Sequence, residues 1–547
     1  MHLDSRPVNE PPDLIPEGMD ATPEGLASSS RSRASVRVAA GIFLSRITGL
    51  IRERVFAHYF GASSFADVWR AALRMPNVIQ NLLGEGTLSA SFIPIYSELL
   101  KEERHEEGAR FAGAVFGLLT LAAGALGLLG IVLAPILVAV FFDGFDPGRQ
   151  ALTVDLVRIL FPMTAILVIS AWALGILNSH RRFFLPYVAP VAWNASIIAA
   201  MTGGALGWGL SGEELARVLA WGALVGGGLQ VGVQLPSALR LLDEFRPSLS
   251  LQVHGIQEAI RNFVPVVAAR GAVNLGGWLD FTLAAYLATG AVASLGYAQT
   301  LYLLPISLFG MSVAASELPE LSRNRRRGTA VIQGEVNVAM ERIGYFLIPS
   351  ALAYVFLGNV ITSALYQTGA FGASEVRVTW AVLAGYAVGM PASAVSRLLS
   401  SAFYAVRDTR TPARIAYLRV VLSLGVGFAF MFPLDRLEVG PLRLGAVGLA
   451  LGASLAAWVE LFFLRRALRH SIGAHGIAGA RLLRMCAAGG FGTGAGLLAL
   501  LLLPPLHPWV LALGTLIPFG GVYLLTSALL GVSQSLPNFR SGSSAAP

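Results

Sequence analysis

Arg46, Arg52, Asp67, Arg70, Arg74, Asn77, Asn81 and Glu85 fall between Ser45 and Pro94, in a stretch that otherwise reads as two apolar helices. An ionisable side chain in hydrocarbon costs about 2.5–3.5 kcal/mol on insertion scales, so such a cluster is expected to face a protein-lined, wet cavity. Arginine is the informative type. Its planar guanidinium holds phosphate oxygens bidentately and keeps its charge when partly desolvated, so several arginines on facing helices make a receptor for a phosphate-bearing anion. Nearly every basic residue of this chain is Arg, which dilutes that signal.

The spacing organises the cluster. From Asp67 through Arg70, Arg74, Asn77 and Asn81 to Glu85 the steps are 3, 4, 3, 4 and 4, which place these residues along one helical face. On the preceding helix Ser45, Gly49 and Arg52 share a face, and Arg46, Gly49 and Glu53 share the adjacent one; Gly49 removes a side chain where a helix or ligand approaches. Simple pairing, Asp67 with Arg70 and Arg46 with Glu53, is the competing reading. It leaves Asn77 and Asn81 without a reason to continue the stripe.

The elements that must position these residues are transmembrane helices. The chain is 55% hydrophobic and 13% charged, and apolar runs long enough to cross a bilayer recur along nearly all of it. Punctuation by Gly, Pro and charge predicts an all-α polytopic protein with fourteen spans, among them 36–60, 66–98, 260–289 and 336–366. The net charge of +8 sits in short loops and at helix ends with no long basic tract, a positive-inside pattern and not a nucleic-acid surface. It places both termini in the cytoplasm. Cys486 is the only cysteine, which excludes an intrachain disulfide. Residues 1–35 have no apolar core and read as a disordered cytoplasmic tail.

A weak repeat divides the spans. Arg74-Met-Pro76 recurs as Leu303-Leu-Pro305, Ser91-Phe-Ile-Pro94 as Ser316-Glu-Leu-Pro319, and the basic turn before Pro186 as the one before Pro412, at offsets of 229, 225 and 226. Six spans between equivalent points predict two lobes of the same topology with a cavity between them. The expected plan is an N-lobe over 36–245, a C-lobe over 246–470, two further helices over 471–535 and a cytoplasmic tail, 536–547. An enzyme is disfavoured: the eight histidines are scattered, and no HExxH, GxSxG or P-loop pattern occurs. No metal site or cofactor is expected.

Ser45-Arg46, Gly49, Arg52-Glu53, Phe60-Gly61, Asp67, Arg74-Met-Pro-Asn77, Glu85-Gly86 and Phe92-Ile-Pro94 together resemble the signature of the MurJ (MviN) lipid II flippases, in the multidrug/oligosaccharidyl-lipid/polysaccharide exporter superfamily. The similarity continues at Asn178, Pro186, Pro190, Asn194, Gln230, Gln234, Tyr297, Pro305, Phe403, Asp408 and Pro412. The resemblance implies a fourteen-helix flippase of the bacterial cytoplasmic membrane. Its partners would be membrane lipids and lipid II, the undecaprenyl-diphosphate-linked peptidoglycan precursor, moved to the outer leaflet by alternating access. Arg46 and Arg52 match cavity arginines of the family. Arg74, Asn77, Gln80 and Glu85 would meet the diphosphate and head group together with Gly49 and Asp67.

Departures from the pattern qualify this. Gln80, Asn81 and Thr300 stand where relatives commonly carry Arg. Arg270 in the seventh span is a candidate substitute, and pairing with Asp280 is the alternative. Asp280 matches an acidic position that belongs to a cation site in some relatives, which raises Na+ or H+ coupling; the membrane potential is a third energy source. The last two helices would line a groove for the lipid tail or pack a dimer. The competing functions are a diverged paralogue exporting another polyprenyl-linked glycan and a cation-coupled drug exporter of the same superfamily.

Overall fold

A backbone in contact with lipid must satisfy its own hydrogen bonds, and a helix does so within one segment, so apolar runs of this length become long helices. The computed structural model describes residues 23–242, 244–310, 329–406, 408 and 410–532. The expected tail 536–547, residues 1–22 of the expected N-terminal tail and the basic loop 323–327 lie outside these.

Helix α1 (Pro23–Phe60) begins inside the stretch expected to be a tail and turns at Gly61 into α2 (Ser64–Leu83), where the Ser63 hydroxyl accepts from the Ala66 N–H at 3.4 Å. Two short helices, α3 (Glu85–Ser91) and α4 (Ile93–Lys101), precede α5 (His105–Phe141) and α6 (Pro147–Ser179). Asp146 caps α6 by accepting from the Arg149 N–H at 3.1 Å, and Pro147 supplies a first-turn residue that needs no donor. Helices α7 (Phe184–Val188) and α8 (Pro190–Thr202) continue through the π turn Gly203–Gly207 to α9 (Gly212–Leu239).

The second half starts with α10 (Ile256–Ala284) and α11 (Ala291–Pro305), followed by α12 (Thr329–Phe356), α13 (Gly358–Tyr366) and α14 (Ala373–Ala405). A two-residue hairpin, β1 (Glu438–Val439) with β2 (Leu442–Arg443), links α15 (Arg410–Asp435) to α16 (Gly445–Ile472). Helices α17 (Gly479–Leu502) and α18 (Pro508–Leu529) pack on each other and against α12 and α13.

Among the described residues eleven helices are long and apolar enough to cross a membrane; α1, α2 and α10 are not among them. The first two carry Arg46, Arg52, Asp67, Arg70 and Arg74. Two expected spans are each divided. The 66–98 segment breaks at Gly84, whose position leaves no room for a side chain because a Cβ there would stand 2.4 Å from the Gln80 carbonyl oxygen. The 336–366 segment breaks at Leu357.

Helix α2 packs against α6 of the first half and against α10 and α11 of the second, so it touches both halves of the chain. Outward surfaces are apolar: Leu128, Val132, Ile136 and Val140 of α5 and Leu498, Leu501 and Leu502 of α17 are exposed, as lipid contact requires. Interior contacts in lipid depend on close packing, and small residues supply it where α15 meets α16. A Cβ on Gly452 would lie 2.6 Å from the Gly427 nitrogen.

Candidate functional site

The polar stripe of α2 divides near its middle. At the Ser64 end Asp67 is 1% exposed and accepts the N–H of Gly290 and of Ala293, each at 2.7 Å, so a carboxylate from α2 caps the start of α11. Arg149 approaches the same carboxylate at 3.6 Å. One turn on, Arg70 is ion-paired with Glu53 of α1 and its guanidinium lies over the rings of Phe56 and Tyr297 at 5.0 and 4.9 Å. Glu53 also accepts from Arg52 at 2.7 Å. The pairings weighed from sequence are thus exchanged: Glu53 serves Arg52 and Arg70, while Asp67 serves backbone.

Toward the Leu83 end the same stripe borders a cavity of about 380 Å³. Arg74, Asn77, Gln80 and Asn81 form its α2 wall, and Leu167, Pro190, Trp193 and Gln230 form the opposite one. Arg52 reaches this wall from α1: its guanidinium lies 4.9 Å from the Trp193 ring centroid and donates to Asn194 Oδ1 at 3.0 Å. Trp193 is itself fixed by donating to the Ala223 carbonyl at 3.0 Å. Gln230 donates to Ser170 Oγ at 3.0 Å, and that hydroxyl donates to Gln234 Oε1 at 2.9 Å, so the far wall rests on a hydrogen-bonded chain. Arg74 also donates to the Gly277 carbonyl at 2.8 Å and stacks on Phe281 at 4.6 Å, both on α10.

Of the residues singled out from sequence, Arg74, Asn77 and Gln80 meet in the cavity, and Arg52 stands at its edge. Arg46 is exposed on α1 and does not line it. Gly49 faces α8, where an added Cβ would come 3.9 Å from Asn194 Nδ2. Asp67 caps α11 away from the cavity. The side chains of Glu85 and Arg270 lie outside the described residues, although the break at Gly84 puts Glu85 at the start of α3. Sequence reasoning missed Trp193 as a wall, since an aromatic in an apolar helix carries no distinguishing mark. The Arg419–Glu460 ion pair, 2.7 Å, was also missed as a unit, although two charges inside apolar helices are a usable signal.

Asp280 is 7% exposed, on α10. Among the described residues no group of three His, Cys, Asp or Glu is placed to hold a metal.

A family model described as "Lipid II flippase MurJ" matches residues 56–529. The "Lipid II flippase MurJ" of Burkholderia cenocepacia is 31% identical over 450 residues, covering 80% of this chain and 83% of its own. The "Probable lipid II flippase MurJ" of Rhizobium meliloti is 30% identical over 430 residues, 77% of each chain. In three dimensions the chain superposes on "Lipid II flippase MurJ, inward closed conformation" with a TM-score of 0.76 at 23% identity, covering 91% of this chain and 99% of that one. A multidrug resistance MATE family transporter of the MOP superfamily shares the fold more distantly, with a TM-score of 0.63 at 16% identity, covering 80% and 98%. The relatives are named as flippases, which are transporters and not enzymes. A multi-pass membrane chain with this family match over most of its length belongs to the lipid II flippase MurJ family.

Proposed function

We propose that this protein moves lipid II from the inner to the outer leaflet of the cytoplasmic membrane by alternating access, for cell wall synthesis. The observation that carries the reading is the cavity that joins Arg74 to Asn77, Gln80 and Asn81, with Arg52 at its edge. The guanidinium of Arg74 draws the diphosphate, the amides meet the sugar-peptide head, and the prenyl tail stays in lipid. In this reading α1, α2 and α10 complete fourteen spans, the two halves act as lobes, both termini are cytoplasmic, and α17 with α18 serves the tail. Arg46 and Arg270 are assigned to the entry path, Gly49 to clearance beside it, and Glu85 to the head group. The membrane potential resets the empty carrier, acting at about 2.3 kcal/mol per unit charge per 100 mV.

The test is complementation of a bacterium depleted of its own flippase. Wild type is expected to restore growth, and Arg74→Ala and Arg52→Ala to abolish rescue at normal protein levels. Rescue by both variants would sink the phosphate-clamp reading. A second reading, export of a different polyprenyl-diphosphate glycan, is favoured by one observation: Gln80 and Asn81 bring no charge to a cavity where Arg74 is the one charged lining residue among the described residues. Failure of wild type to rescue, with transport of another polyprenyl-diphosphate glycan in proteoliposomes, would select it.

A further inference from the structure

Arg54 follows Arg52 and Glu53 on α1 but is not among the residues that line the cavity. Its guanidinium crosses from the first half of the chain to the second. Nη1 donates to the carbonyls of Ala364 and Leu365, each at 2.8 Å, and the guanidinium lies 5.5 Å from the Trp509 ring centroid. Both carbonyls belong to the last turn of α13. The last four carbonyls of a helix have no partner within it and form the negative end of its dipole, so a guanidinium placed there satisfies both. Arg54 is thus the C-terminal cap of a helix 310 residues away.

The capped helix rests on α18. Ala364, one of the two acceptors, clusters with Val360 against Ala512, and Trp509 stands one turn before Ala512. On the same face of α1, four residues past Arg54, His58 Nδ1 meets Thr368 Oγ1 at 2.8 Å, and the His58 carbonyl accepts from the Ala370 N–H. These contacts lie where α1 turns toward α2, whereas the cavity borders the Leu83 end of α2. Carbonyl partners suit a joint that parts. A carboxylate partner would be left behind as a second uncompensated charge, while helix-end carbonyls are rehydrated at lower cost and the guanidinium keeps its charge on either side of the event.

We propose that Arg54 is the latch that holds the two halves together at this end by capping α13, and that α18 belongs to the latch through Trp509 and Ala512. The inference rests on the alternating-access reading, in which this end opens to release the cargo. It gives the C-terminal helix pair a part in closure, since displacement of α18 withdraws the Trp509 ring and the α13 carbonyls from Arg54 together. Arg54 is a positioning residue in this scheme and touches no cargo.

The experiment measures distances between spin labels at Glu214→Cys and Arg436→Cys in the full-length protein, with Cys486→Ser removing the native thiol, reconstituted in lipid nanodiscs. Both positions are exposed. Glu214 follows Gly212, which approaches Phe65 at the start of α2, and Arg436 precedes the hairpin whose Leu442 approaches Gly290. Arg54→Ala is expected to raise the ratio of parted to joined distances about 10- to 100-fold, as loss of hydrogen bonds to a charged group from one state alone requires. Trp509→Leu should raise it about threefold through the lost cation–π contact, and Arg54→Lys should fall between the two. A wild-type ratio left unmoved by Arg54→Ala would overturn the latch while leaving alternating access standing; should that variant fail to fold, an unmoved ratio in both Arg54→Lys and Trp509→Leu does the same. A single joined distance in every variant, with and without lipid II, would overturn the alternating-access reading beneath it.

Discussion

At the Ser64 end of α2, Asp67 and Arg70 are held by protein partners, whereas toward the Leu83 end Arg74, Asn77, Gln80 and Asn81 border open space. Residue types and helical spacing are alike in the two stretches. What separates them is who supplies the partner: α11 and α1 at one end, a cavity at the other. A polar stripe in a membrane helix is therefore two kinds of object at once, and burial with its hydrogen-bond partners tells them apart where residue type does not.

Substitutions sharpen or break this contrast. The largest loss is expected from Glu53→Ala, which leaves Arg52 and Arg70 without their shared carboxylate; breaking a buried pair costs about 3–5 kcal/mol, read as a fall in the midpoint of a denaturant titration. Asp67→Ala comes next, at about 3 kcal/mol, because the N–H groups of Gly290 and Ala293 lose a charged acceptor in a buried place. Paired replacement of Asn77→Ala and Gln80→Ala should change stability by less than about 1 kcal/mol, yet reduce lipid II transport in proteoliposomes by about tenfold or more, since each removed hydrogen bond is worth about 0.5–1.5 kcal/mol. If that double variant unfolds as readily as Glu53→Ala, the distinction between the two ends of α2 collapses.

The smallest effect is reserved for a loop outside the spans. Asp408 caps α15 by accepting from the N–H of Arg410 and of Thr411, both at 3.0 Å, and hydrogen bonds from the Thr411 side chain and backbone hold its carboxyl below the ordinary value of 3.8. A depressed folded pKa gives stabilisation that is present above the ordinary value and is lost as pH falls through the folded one. Asp408→Ala should cost well under 1 kcal/mol after solvent screening, and the difference from wild type should vanish in acid.

Much of this was legible in the sequence. The 3, 4, 3, 4 spacing placed Asp67 to Asn81 on one face, and the structure keeps that face intact. The partners were not legible. Asp67 meets Gly290 and Ala293 across 223 and 226 residues of chain, and periodicity carries no information about such distances. Nor did apolar length reveal the break at Gly84, where the close approach of the Gln80 carbonyl decides the matter. Pro190, Asn194, Gln230 and Gln234 entered through family resemblance alone. Their reasons are now physical: Asn194 holds Arg52, Pro190 and Gln230 line the cavity, and Gln234 supports Gln230 through Ser170.

Near the turn between α1 and α2 the two halves meet main chain to main chain. The His58 carbonyl accepts from the Ala370 N–H at 2.8 Å, and the Gly61 carbonyl accepts from the Tyr297 hydroxyl at 2.8 Å. Gly61 and Gly290 adopt positive φ, and a Cβ on either would stand 2.4 Å from a carbonyl oxygen, of Ala370 and of Ala62 respectively. The His58–Ala370 bond and the two glycine approaches have no flexible side chain to stretch. A gap of about 0.5–1 Å already forfeits a quarter to a half of each attraction while remaining too narrow for water. Partial separation is then poorer than either extreme, so any opening of this seam would be a threshold event, fully joined or fully hydrated, with little population between.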